Sequence, residues 1–242
     1  MSSAPEANAV PGFLPSTHGL RFANRFPPGP TLRLGPLDPR WVGIGDASAG
    51  LCGGMAWYVR ERFEAGLPIP PDTEAPANGS TLFRALVRRQ VQSLDWMRVP
   101  LRYLDLQAWR PDPPVGLALR LRREPPRVVA VLREWPRIRA EIDKGHPSVV
   151  GLIRATGVSP WTLKENHQVL AWGWETDRGR IMLRVYDPNH PGRDDVELRA
   201  MVADAPDAPW WERITMTQTT GEPLLGFFRQ PYPAADSVRV WR

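Results

Sequence analysis

The sequence predicts an α+β fold in which a helical half precedes an antiparallel β-sheet. Apolar residues follow helical spacing up to about residue 145, alternating or β-branched runs dominate after it, and a short turn joins two of those runs. Helices followed by strands, instead of alternating with them, are typical of α+β domains. We expect an extended N-terminal arm over residues 1–40 and one domain over residues 41–242. Its helical half should cover about 41–145 and its sheet half about 146–230.

The first predicted helix begins at the only cysteine of the chain. Residues Gly50–Trp57 place Cys52 among small residues, immediately before apolar residues with helical spacing. We predict a helix at about Cys52–Ala65, which Gly66 terminates. Unpaired N–H groups and the helix dipole stabilise a thiolate at a helix N-terminus. This position therefore predicts a reactive thiol.

Two further helices are predicted before the sheet. Ser80 is a suitable N-cap for a helix whose apolar residues continue to Val91. The proline-rich stretch 100–126 predicts no long element. Residues Arg127–Asp143 have helical spacing, and Pro136 should kink this helix or divide it in two.

The sheet half contains a predicted β-hairpin whose turn lies at residues 176–179. In an antiparallel hairpin, the start of the first strand lies beside the end of the second. His167, at the start of one strand, and Asp187, after the end of the next, should therefore lie at the same end of the pair. The predicted strands cover residues 148–153, 167–174, 180–186, 195–199, 212–219 and 224–229.

Composition argues against several classes of function. The net charge is +5, but its source is arginine spread along the chain, with only two lysines, Lys144 and Lys164. Nucleic-acid-binding proteins show a clustered basic face instead, so we expect no nucleic-acid partner. One cysteine allows no internal disulfide, and the histidines lack metal-ligand spacing, so we expect neither a metal nor a cofactor.

The expected location is the cytoplasm, without a membrane partner. The N-terminus lacks a Sec-type signal pattern, and no stretch approaches about 18 uninterrupted apolar residues. Export by a route without such a signal stays open, and the sequence does not indicate an oligomeric state.

A single thiol, a histidine and a carboxylate form the candidate site. Cys52 would be the nucleophile, His167 would take its proton, and Asp187 would fix the tautomer and orientation of the imidazole. Each residue alone has a structural alternative: a cysteine is usually a small buried hydrophobe, and Asp187-Pro188-Asn189 could be only a turn. Their combination favours the catalytic interpretation.

Three short motifs in this order resemble the papain-like cysteine peptidase superfamily, and within it the peptidase C39-like group. The motifs are Gly50–Met55, Asn166–Leu170 and Tyr186–Asn189. The resemblance implies a papain-like fold, in which a helix presenting the nucleophile packs on an antiparallel sheet. It also implies Cys52 as nucleophile, His167 as general base and acid, and Asp187 as orienting residue, with Asn189 a weaker candidate for that third role. The backbone N–H of Cys52 would stabilise the oxyanion.

One position departs from the family pattern. The family has a glutamine six residues before the nucleophile, where this chain has Asp46. An ionised carboxylate cannot donate a hydrogen bond to the developing oxyanion. Trp161, just before the His167 strand, is a candidate lining residue of the cleft.

The sequence therefore predicts a cysteine-dependent hydrolase that acts on an amide bond of a protein or peptide substrate through an acyl-enzyme. Two alternatives remain open. The first is a catalytically impaired papain-like scaffold that serves as a binding or interaction module, which Asp46 would explain. The second is an effector with deamidase or transglutaminase-type chemistry.

Overall fold

A computed structural model describes residues 5–27, 50–95, 98–109, 124–157, 160–209 and 212–232. The described chain is α+β, with helices in its first half and an antiparallel sheet formed mainly by its second half. The helices are α1 Pro15–His18, α2 Cys52–Glu64, α3 Thr81–Ser93, α4 Arg98–Gln107, α5 Pro126–Val129 and α6 Trp135–Asp143. A π-helical turn, Ala130–Glu134, joins α5 to α6, and a 3-10 helix covers Pro160–Glu165.

The strands are β1 Glu6–Ala9, β2 Ser148–Ile153, β3 His167–Asp177, β4 Arg180–Tyr186, β5 Glu197–Val202, β6 Ile214–Gln218 and β7 Gly226–Arg229. Their order across the sheet is β6-β5-β4-β3-β2-β7, and every pair is antiparallel. The predicted hairpin is present as β3 and β4.

Part of the N-terminal arm belongs to the sheet. Strand β2 pairs with residues 167–171 of β3, and β1 pairs with residues 173–176 along the same edge. The arm also buries apolar side chains in the main core, including Phe13 and Leu20. The extended segment predicted for residues 1–40 therefore contributes a strand and core residues where it is described.

The core lies between α2 and the sheet. Met55, Trp57 and Val59 of α2 are almost fully buried, and all six residues of β2 are buried. Helix α3 lies close against α2, because Gly54 has no side chain where it faces the Leu86 carbonyl. This packing brings the N-terminus of α2 to the start of β3.

One helix differs from the sequence prediction, and one predicted helix break is present. Helix α4 lies in the stretch where prolines predicted no long element. Pro100 is its third residue, where a missing N–H removes no intrahelical bond, and Val99 and Tyr103 bury one face. The division predicted at Pro136 is present: a π-helical turn separates α5 from α6 just before this residue, and the wider turn accommodates the missing N–H.

Candidate active site

Cys52 is the first residue of α2 and is partly exposed. The N–H groups around it are held by side chains from elsewhere in the chain. The Leu51 N–H donates to Asn24 Oδ1 at 2.6 Å, and the Gly54 N–H donates to Gln90 Oε1 at 2.9 Å. These bonds satisfy unpaired donors of the helix N-terminus and fix the backbone on either side of the thiol.

His167 and Asp187 meet at one end of the hairpin. His167 opens β3 and Asp187 follows the last residue of β4, and His167 Nε2 lies 2.6 Å from Asp187 Oδ1. Both side chains are buried, His167 at 4% exposure and Asp187 at 0%. The contact occupies Nε2 and so leaves Nδ1 as the ring nitrogen available to the thiol.

The Cys52 thiol interacts with His167 through charge and through a side-chain hydrogen bond. Burial raises the pKa of Cys52, but the charge and hydrogen bond of His167, together with backbone hydrogen bonds from Gln168 and Gly53, lower it below its usual value. Conversely, burial lowers the pKa of His167, whereas the charges of Asp187 and Cys52 and the hydrogen bonds to both raise it to about 9. These opposite shifts favour a thiolate paired with an imidazolium.

Several groups hold the Asp187 carboxylate in its ionised form. Burial raises the pKa of Asp187, but the charge and hydrogen bond of His167, the Asn189 N–H at 2.8 Å and the charge of Arg154 lower it to about 2. Gln218 Nε2 donates to the second carboxylate oxygen at 3.0 Å. Arg154 in turn donates to Gln218 Oε1 at 2.9 Å. The carboxylate is therefore fixed on both oxygens.

Helix α4 also contributes to the position of the histidine. The Tyr103 hydroxyl donates to the His167 carbonyl oxygen at 2.8 Å, and both groups are buried. This bond ties the start of β3 to a helix that the sequence did not predict.

Three other residues named from the sequence have different outcomes. The Asn189 side chain does not contact His167; its Oδ1 accepts from Asn24 Nδ2 at 3.3 Å, so Asp187 is the carboxylate partner of the ring. Asp46 lies outside the described residues. Trp161 belongs to the 3-10 helix, but its side chain lies outside the described part of the structure.

The sequence does not predict the residues that hold Cys52 and Asp187 in place. Asn24, Gln218 and Arg154 lie in no recognisable motif, and each reaches the site from a distant part of the chain. Gln168 lies within the histidine motif, where the sequence predicts no role for it, although its backbone bonds to Cys52. The position of Gln168 directly after His167 is the sequence feature that could have indicated its role.

Comparison of the sequence with protein-family models found no match, and searches among characterised proteins and among solved structures found none either. Within the described residues, no group of three or more His, Cys, Asp or Glu side chains could hold a metal ion. None of the described helices has the length and apolar character needed to cross a membrane.

Proposed function

We propose that the protein is a cysteine-dependent hydrolase of amide bonds with a papain-like fold. The observation that carries this proposal is the 2.6 Å pairing of His167 with Asp187, with the same histidine close enough to the partly exposed Cys52 thiol to lower its pKa. The three groups are a nucleophile, an acid and base, and a carboxylate that orients it. The proposed substrate is a protein or peptide.

In the proposed reaction, the Cys52 thiolate attacks the carbonyl carbon of the amide to give a tetrahedral intermediate. His167 gives its proton to the amide nitrogen, the C–N bond breaks, and the amine leaves a thioester on Cys52. Neutral His167 then takes a proton from water while the oxygen of that water adds to the thioester. The C–S bond breaks, which releases a carboxylic acid and restores the thiolate and imidazolium.

The backbone N–H of Cys52 is the proposed donor to the oxyanion of the intermediate. The neighbouring N–H groups of Leu51 and Gly54 are taken by side chains, whereas no acceptor among the described residues takes that of Cys52. A free donor at a helix N-terminus stabilises negative charge that develops beside it.

The test of this proposal is alkylation of Cys52 by iodoacetamide at about pH 6.5, well below the usual thiol pKa of about 8.5. A catalytic thiolate should be labelled stoichiometrically, as measured by intact mass. His167→Ala should slow labelling at least about tenfold, because the thiolate fraction falls tenfold for each unit by which the thiol pKa rises. His190→Ala is the matched control, since His190 pairs with Glu222 at 2.8 Å, outside the triad. It should leave the rate unchanged.

The same experiment addresses the second candidate, a papain-like scaffold that binds without catalysis. A thiol that reacts no faster than in the urea-unfolded chain would contradict the hydrolase and favour the binding module. If Cys52 is reactive, mass analysis of products separates the remaining alternatives. A cleaved peptide indicates hydrolysis of a peptide bond, whereas an intact chain changed at glutamine indicates deamidase or transglutaminase-type chemistry.

A further inference from the structure

A cleft beside Cys52 is lined by amide, hydroxyl and amino side chains. It lies where the start of α2 meets α3, α4, the 3-10 helix and the start of β3. Among the described residues that line it, none is acidic. Apart from Cys52, its polar side chains are those of Gln90, Tyr103, Lys164, Asn166 and Gln168.

The Gln90 amide lines the cleft with its oxygen already occupied. Gln90 is 8% exposed, and its Oε1 accepts from the Gly54 N–H at 2.9 Å, which fixes the amide orientation. Nothing in the described structure accepts a hydrogen bond from its Nε2. The two Nε2 hydrogens are therefore left for a group inside the cleft.

Asn166 repeats this arrangement, whereas Gln168 differs from it. Gln168 Oε1 is buried beside Gly53 without a hydrogen-bond donor and is therefore an unpaired acceptor, and its Nε2 bonds to nothing in the described part of the chain. Asn166 Oδ1 accepts from the Arg154 N–H at 3.2 Å, and Asn166 Nδ2 is buried without a partner. The nitrogens of the three amides are thus donors without a partner among the described residues, and Gln168 Oε1 is the one amide oxygen of the three without a donor.

The other polar groups do not offset this excess of donors. The Tyr103 hydroxyl already donates its hydrogen to the His167 carbonyl oxygen. Lys164 is exposed at the edge of the cleft and adds a positive charge. A ligand group complementary to this surface must supply acceptors and negative charge, which are the properties of a carboxylate.

We propose that this cleft binds a side-chain carboxylate of the substrate next to the scissile amide. The preferred substrate is then a peptide with an acidic residue at the bond that is cleaved. Cleavage next to the acidic residue rests on the proposed hydrolase function. Binding of the carboxylate requires only the cleft.

The test uses four peptides that carry a thiol-reactive nitrile and differ only in the adjacent residue: glutamate, glutamine, leucine or lysine. The measured quantity is the rate constant for modification of Cys52, divided by the iodoacetamide rate of the same variant. The glutamate peptide should react at least about tenfold faster than the lysine peptide, which corresponds to one charge-assisted hydrogen bond. The glutamine peptide should lie between them.

Lys164→Glu reverses the charge at the edge of the cleft, and because Lys164 is exposed the substitution should leave the fold intact. It should invert the order of the glutamate and lysine peptides, and Lys164→Gln should narrow the difference without inverting it. Equal rates for all four peptides, or an order that Lys164→Glu does not change, would overturn the proposal.

Failure of the hydrolase is distinguished by a second measurement. The same four residues in peptides that end in a simple amide are titrated into Cys52→Ala by calorimetry. If Cys52 proves unreactive but the glutamate peptide still binds most tightly, the proposed function fails and the carboxylate cleft stands. If Cys52 reacts with iodoacetamide but the peptides do not differ in binding, the cleft proposal fails alone.

Discussion

The Asp187 carboxylate lies 2.6 Å from His167 Nε2, although the two residues are 20 positions apart in the chain. The hairpin of β3 and β4 produces this contact, because one residue opens the hairpin and the other follows its end. The carboxylate raises the pKa of His167 against the effect of burial and so keeps the imidazolium available as a proton donor.

We predict that amide hydrolysis declines as pH rises through about 9, because His167 then loses the proton that the leaving amine needs. Activity should also fall on the acidic side, where the Cys52 thiolate becomes protonated. The loss at alkaline pH follows from the raised pKa of the histidine, and the loss at acidic pH follows from the lowered pKa of the thiol. The measurement is the pH profile of kcat/KM on an amide substrate. A profile that continues to rise above pH about 9 would contradict the assignment of His167 as the acid.

Asp187→Asn should lower kcat/KM by about 10²–10⁴-fold, because the ring loses its charged partner. It should also move the alkaline limb of the profile to lower pH, a change that a merely structural loss would not produce. Asp195→Asn is the matched control: Asp195 is an exposed aspartate paired with Arg193, away from the histidine. It should alter neither quantity.

We predict that Gln218→Ala destabilises the fold by about 1–3 kcal/mol, because a buried carboxylate oxygen and the Arg154 guanidinium each lose a hydrogen bond. The free energy of unfolding in urea measures this change. Thr217→Ala, at an exposed position of the same strand, should stay within about 0.5 kcal/mol of wild type. Equal effects of the two substitutions would show that Gln218 does not support Asp187.

Asn24 connects the arm to both sides of the site. Its side chain accepts from the Leu51 N–H and donates to Asn189, and its own N–H donates to the Pro188 carbonyl at 2.9 Å. We predict that Asn24→Ala slows Cys52 alkylation several-fold, whereas Asn24→Asp restores the rate only in part, because a carboxylate keeps the acceptor for the Leu51 N–H but cannot donate to Asn189 Oδ1. The expected fold-change in rate corresponds to the loss of a helix N-terminal cap, which costs about 0.5–2 kcal/mol of stability.

The control for Asn24 is Asn8→Ala in the same arm. Asn8 donates to Asp143 at 2.9 Å and pairs with Trp174, well along β3 from His167, and its loss should leave alkylation unchanged. Slower alkylation in both variants would mean that the arm acts only through overall stability.

The sequence predicted the parts of the site that depend on local patterns. Glycines before an apolar helical repeat placed Cys52 at the start of α2, and alternation on both sides of a short turn placed His167 beside Asp187. The contacts of Asn24 with Leu51 and of Gln218 with Asp187 span 27 and 31 residues. Such contacts depend on how the arm and β6 pack against the site, and a local sequence motif cannot predict them.

The sequence predicts Gly54 only as a small neighbour of the thiol, and the structure gives it a packing reason. A Cβ on Gly54 would overlap the Leu86 carbonyl and lie 3.0 Å from the Gln90 backbone nitrogen. A backbone carbonyl inside a helix cannot turn aside as a flexible side chain can. We therefore predict that Gly54→Ala separates α2 from α3 and destabilises the fold by about 1–3 kcal/mol in urea unfolding.

The same substitution should slow Cys52 alkylation, because moving α3 displaces Gln90 from the Gly54 N–H and loosens the first turn of α2. Gly173→Ala is the matched control within β3, since its added Cβ would meet its nearest neighbour, the Ala9 Cβ, at 3.4 Å, an ordinary contact distance. If Gly54→Ala proved as stable and as reactive as Gly173→Ala, the close approach of α2 and α3 would not be what holds the thiol in place.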